Sequence, residues 1–371
     1  MKKINKKHSL QTIVLLFSAT LFFTILSGCS KEKDIKASTT DSKTNTIFSL
    51  ISDKCNAIGE LNISEIIKIE LFQKQIAANK HNAYLQKWNA AGLNLDNIDN
   101  ICFGVIPPNL DKVNTNPDEG IILFNTISKV SLDKFIKLEI KESGKKITTI
   151  KIADRVIYLI PNEKGMGNVF LTQIDDKLIA AGSKDMITAT IELSQNKGKS
   201  ALDNKELMNL TVSNKNHMLW VACTIPEQMS KNAGKGFPKI EDAFISADYN
   251  NDILTIGGIV SCKTKEDVQN VLAPIQMVSN MVAMNPNSGL TKDDISIISK
   301  GKELIIKLSI PKTTLENYAK QQMAVMNNRV VTSPVLSQPM ISNTSPNDII
   351  VKDVITEVSI PSSTPGKPNT K

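Results

Sequence analysis

Apolar positions along this chain recur with two periods, and the points where one gives way to the other mark its elements. Tyr84, Leu85 and Trp88 stand at i, i+1 and i+4, one face of a helix over about 80–91. Strands follow at about 98–106 and 120–127. Ser131 is placed to cap a helix running to about 140, with Leu132, Phe135 and Ile136 turned inward. Short β runs follow at 147–152, 155–160, 167–174 and 177–182, and Asp154 and Asp175-Asp176 mark the turns between successive pairs. Ser183 opens a further helix over 184–195.

The scheme then repeats. A helix over about 203–210 leads into a strand at 217–225, and a hairpin of 242–249 and 253–262 turns at Asn250-Asn251-Asp252. Thr264 caps a long helix on which Val268, Val271, Leu272, Ile275 and Val278 keep helical spacing and Pro274 introduces a kink. A second hairpin, 295–299 and 303–310, turns at Lys300-Gly301-Lys302, and a last helix covers about 313–325. Strands in both halves end in Ile-Pro: Ile106-Pro107 and Ile160-Pro161, then Ile225-Pro226 and Ile310-Pro311. Cys102 and Cys223 precede their prolines with the same parity, which puts them on one face of matching strands.

The fold class this predicts is α+β, built as two tandem, duplicated domains over 47–200 and 201–326. Each is a mainly antiparallel sheet with helices packed on one face. Chance likeness of two α+β layouts is the reading against duplication. Residues 29–46 are polar and aperiodic, a flexible tether. Residues 327–371 are rich in Pro, Ser and Thr and read as a disordered tail. Within that tail 348–360 is β-rich and able to add as a strand to a sheet edge, against the plainer reading of an idle stretch.

The N-terminus changes the picture most. Lys2, Lys3, Lys6 and Lys7 precede an apolar run over 12–26, shorter than the roughly 20 residues of a spanning helix. A charged start, a short apolar stretch and small residues before a cleavage point make 1–28 a secretory signal peptide. The run ends in Leu26-Ser27-Gly28-Cys29, which resembles the lipobox of bacterial lipoproteins. That resemblance implies cleavage between Gly28 and Cys29, diacylglycerol on the Cys29 thiol, and often a further acyl chain such as palmitate on the new amine. Two or three chains hold a protein on a membrane, whereas one is marginal. Ser30, where Asp would signal inner-membrane retention in a Gram-negative cell, implies an outer-membrane lipoprotein facing the periplasm.

Loss of the signal peptide removes those four lysines and takes the net charge from +7 to +3. A balance so near neutral, without a dense Lys/Arg block, excludes a nucleic-acid partner. Removing Cys29 leaves Cys55, Cys102, Cys223 and Cys262, an even set in an oxidising compartment. Disulfides and small buried hydrophobes both fit them, because each sits in or beside an apolar run.

Catalytic signals are scarce. His81 and His217 stand far apart, with no HExxH and no acidic cluster at ligand spacing, so the sequence implies neither a metal nor a cofactor. SxxK occurs at Ser131–Lys134, Ser143–Lys146 and Ser194–Lys197 without a partner motif. Met277, Met281 and Met284 recur at helical spacing, read first as core. A thioether Cu(I) site or an apolar-ligand face is the functional alternative.

The function these features support is a non-enzymatic envelope lipoprotein that binds or scaffolds an envelope protein. Two alternatives stand beside it. One is a carrier or sensor of an apolar ligand, lipid or peptide, held in a Met- and Ile-lined cleft. The other is a hydrolase whose site assembles from distant residues.

Overall fold

The computed structural model describes residues 46–78, 83–90, 92–106, 119–143, 147–161, 168–212, 217–227, 238–285 and 288–320. Twelve strands run through them: β1 (Ala57–Asn62), β2 (Ile98–Ile106), β3 (Glu119–Thr126), β4 (Thr148–Ile152), β5 (Arg155–Ile160) and β6 (Val169–Asp175) come first. Then follow β7 (Leu178–Gly182), β8 (Leu219–Thr224), β9 (Ile240–Asn250), β10 (Ile253–Cys262), β11 (Ile295–Lys300) and β12 (Glu303–Pro311). All belong to one sheet in the order β11-β12-β10-β9-β8-β1-β2-β3-β7-β6-β5-β4. Every neighbouring pair is antiparallel.

The class is therefore α+β, but the two halves share a single sheet. β1 joins them: Gly59 faces Phe103 of β2 on one side and Val221 of β8 on the other. The sequence pattern does not reveal β1, because Ala-Ile-Gly-Glu-Leu-Asn carries two large apolar residues and a charge. Outward from the β1/β8 seam the two wings follow the same route, β1-β2-β3-β7-β6 and β8-β9-β10-β12-β11. In each, a helix follows the third strand and a meander returns to pair its last strand with that third one. β5 and β4 extend the first wing only.

This route matches β2 with β9, not with β8. Cys102 lies opposite Glu60, which lies opposite Trp220, whereas Cys223 lies opposite Ala57. With side chains alternating along each strand, Cys102 and Cys223 point to opposite faces, contrary to the parity expectation.

Helices also cover both faces of the first wing, not one. Buried Ile58, Ile121, Leu123 and Ala180 pack with Phe48 and Ile51 and with Met186, Ile187 and Ile191 of helix Lys184–Ser194. On the other side Phe124, Ile179 and Ala181 pack with Leu132, Phe135 and Ile136 of helix Leu132–Ser143, and with Ile63 and Ile66 of helix Ile63–Ile66. The cause is visible in β3 and β7. Ile121-Ile122-Leu123-Phe124 and Leu178-Ile179-Ala180-Ala181 are apolar runs, and such runs mean burial on both faces.

The second wing is more one-sided. Leu219, Ala247, Ile256, Leu308 and Ile310 form one cluster, and Cys262, Val268, Val271 and Leu304 another. Helix Lys265–Met284 lies over them, its N-terminus capped by Thr264 Oγ1, which accepts from Asp267 N at 3.0 Å. It continues through Pro274, which sits among exposed positions. The predicted turn at Asn251-Asp252 has positive φ at both residues (51° and 60°), as a two-residue hairpin of primed type needs. The last described helix covers 312–320, and the tail segment 348–360 lies outside the described residues.

Candidate functional site

Glu60 sits at the middle of the central strand, 7% exposed, between Cys102 on β2 and Trp220 on β8. A carboxylate there must find donors from its own chain. Asn100 Nδ2 donates to Glu60 Oε1 at 2.6 Å, and Trp220 Nε1 donates to Glu60 Oε2 at 3.1 Å. Asn125 Nδ2 in turn donates to Asn100 Oδ1 at 2.9 Å, so the polar chain crosses four strands. Trp220 is fully buried, with Phe48 at a centroid distance of 5.2 Å and Phe244 stacked at 6.3 Å. The aromatic cage and the carboxylate thus hold the indole from both ends.

A second polar pair stands at the start of β8. His217 Nδ1 bonds Asp248 Oδ2, and Met218 N donates to Asp248 Oδ1 at 2.9 Å. The His217 side chain is 7% exposed and lies 6.1 Å from the Phe244 ring. An aspartate on Nδ1 orients the imidazole ring, the base-and-orienter half of a triad. Among the described residues no hydroxyl or thiol is hydrogen-bonded to Nε2.

Cys55, Cys102, Cys223 and Cys262 are free thiols, the first two within one cluster and the others elsewhere in the sheet. Burial pushes the Cys55 thiol up from 9.0 to about 12, with the charge of Asp53 adding to it. Burial, then the charge of Glu60, holds Cys102 well above its ordinary range. Burial raises Cys223 and Cys262 too. Such thiols are packing groups rather than nucleophiles.

The remaining sequence candidates scatter. Gly28, Cys29 and His81 lie outside the described residues. Ser194 Oγ donates to Ile191 O at 2.7 Å, while Lys197 Nζ reaches Gln195 Oε1 at 3.1 Å, so that SxxK pair does not meet. Among the described residues no group of three or more His, Cys, Asp or Glu could hold a metal ion, and no helix is long and apolar enough to cross a membrane.

Sequence reasoning missed a cleft of about 310 Å³ lined by Gly92, Asn94, Asp96, Asn97, Ser128 and Lys129. Asn97 links its lining residues, donating to Gly92 O at 2.6 Å and accepting from Ser128 N at 2.8 Å. Its lining is polar, not the Met and Ile expected for an apolar carrier. The methionines themselves reverse the first reading: Met277, Met281 and Met284 are 65%, 62% and 78% exposed.

No family model matches the chain, and no curated protein matches it. Among solved structures, crystal form III of TP0453 aligns with a TM-score of 0.42 at 11% identity, covering 76% of this chain and 97% of that one. Crystal form I of TP0453 aligns at 0.40 and 10% identity, covering 75% and 96%.

Proposed function

We propose that this chain is a lipid-anchored envelope lipoprotein, held through Cys29, whose body binds or scaffolds another envelope protein. The observation that carries the binding role is the uneven cover of the sheet. On the Trp220 side, the first wing is packed under helix Lys184–Ser194, but in the second wing the cluster there holds only Trp220 and Ala222 of β8, Phe244 of β9 and Ile259 of β10. Beyond them Ile298 of β11 and Ile305 of β12 stay half-buried among Thr255, Ser296 and Lys307. An apolar surface with a polar surround is the composition of a non-obligate protein interface. The signal peptide and lipobox supply the anchor, and Ser30 favours the outer membrane in a Gram-negative cell.

The test joins both parts. Cys29→Ala should leave the membrane fraction and lose incorporation of labelled palmitate. Affinity purification of the native chain should recover a defined envelope protein, and Ile298→Lys with Ile305→Lys should release it. Recovery of the chain alone, or a Cys29→Ala variant that still takes label, overturns the reading.

The hydrolase alternative draws on one feature, the His217–Asp248 pair. Labelling by a fluorophosphonate or an epoxide, lost in His217→Ala, would favour it over binding.

Duplication of one ancestral unit is part of the same proposal, supported by the matched routes of the two wings. It predicts that each wing superposes on the other through β1-β2-β3 and β8-β9-β10; a mismatch in strand direction would end the idea.

A further inference from the structure

We propose that Met277, Met281 and Met284 form a thioether site for a soft monovalent cation, Cu(I), at the C-terminal end of helix Lys265–Met284. The outer face of the helix carries three thioethers, with Val278 (38% exposed) as the one large aliphatic among them. Val268, Val271, Leu272 and Ile275 face the sheet, while all three methionines point outward, 65%, 62% and 78% exposed. Methionine in this chain also serves as filling: Met186 is 2% exposed in the core. A surface that needed only apolar area would take leucine as readily, so the selection of sulfur here is a signal in itself.

Position supplies the second argument. Successive residues of a helix advance by 100° and 1.5 Å, so Met281 lies about one turn from each of the other two, within roughly 60° of arc. An unbranched side chain with three rotatable bonds can swing its sulfur toward a shared point. Thioethers are soft ligands, which favours Cu(I) over Zn(II) or Mg(II). A helix C-terminus also carries partial negative charge and favours a cation, yet the last turn contains no basic residue. On the helix itself no charged side chain follows Asp267, so its own element places no hard ligand beside the sulfurs.

The test uses the full chain in detergent, under anaerobic reducing conditions, with Cu(I) titrated against a chromophoric chelator such as bicinchoninate. One equivalent should leave the chelator for the protein. The variant M277L/M281L/M284L keeps the apolar surface and should take none. In the wild type with ¹³C-methyl methionine, Ag(I) as a stable surrogate should move these three methyl resonances together, and Zn(II) should leave them in place. Equal Cu(I) uptake by the leucine variant, pointing to the cysteines, overturns the site. So do static methyl resonances under Ag(I). Loss of neither Cu(I) uptake nor binding to zwitterionic vesicles in the leucine variant would assign the stripe to apolar docking instead.

Discussion

Trp220 Nε1 donates to Glu60 Oε2 across 3.1 Å, between residues that face each other directly in the β1/β8 ladder. The bond therefore ties the wings together by side chains at the same level where their backbones pair. It also fixes the Trp220 ring against Phe48 and Phe244, which belong to different halves of the chain.

Removing the carboxylate should expose how much this tie holds. Glu60→Ala leaves the Trp220 indole N–H and the Asn100 amide without their buried acceptor, a loss of about 2–5 kcal/mol. Glu60→Gln keeps an acceptor and should lose less, roughly 1–2 kcal/mol. Urea unfolding followed by Trp220 fluorescence reads both. An alanine variant as stable as the wild type would show that the network is incidental to the seam.

Gly59, next along β1, is set by close approach. A Cβ there would stand 2.6 Å from Trp220 O and would enter the Phe103 ring. The ring can turn, but the carbonyl belongs to the β8 backbone and cannot retreat without opening the ladder. Gly59→Ala should therefore reach or exceed the upper end of overpacking losses, about 3 kcal/mol. A midpoint unchanged in thermal unfolding would contradict the packing described here.

Most strands and helices were legible because their apolar positions keep a period. The hairpin at Asn251-Asp252 and the Thr264 cap were legible because turn and cap chemistry is local. β1 was not, because its six residues carry only two large apolar side chains and a charge, and its strand form is set by pairing with Phe103 and Val221 far along the chain. The cover on both faces was written in the apolar run Leu178-Ile179-Ala180-Ala181, whereas hairpin turns pointed to an antiparallel sheet with helices on one face. For the site, His217 was visible as a residue while its partner Asp248 lay 31 positions away, and the Glu60 network joins partners 40 and 160 positions apart. Pairings of that range leave no periodic trace. The methionine spacing was plain, but spacing alone does not say which way a helix turns.

The Cys55 thiol makes stability depend on alkaline pH. Its folded value, about 12, stands above the ordinary 9.0, so between those limits the folded chain keeps a proton that the unfolded chain has lost. The contribution is complete below pH 9.0 and is lost as pH rises through about 12, up to something on the order of 4 kcal/mol. Urea midpoints compared on either side of pH 9.0 should fall more steeply for the wild type than for Cys55→Ala. Parallel slopes would refute the assignment. In the same buffers below pH 9.0, buried Cys55, Cys102 and Cys262 should react with a disulfide reagent only on unfolding.

Asp248 holds two donors at once, His217 Nδ1 on one oxygen and Met218 N on the other. Asn can accept from one of them, but its amide then faces the other as a second donor. Asp248→Asn should thus lose about 1–3 kcal/mol, and Asp248→Ala no less, because both donors then lose their acceptor in a half-buried site. His217→Gln separates the two bonds: it removes the imidazole and leaves the Met218 contact in place. A double-mutant cycle on His217 and Asp248 should return a coupling of roughly 1 kcal/mol or more. Additive losses would mean that Asp248 serves the backbone of β8 alone, and that the imidazole is held by its packing on Phe244.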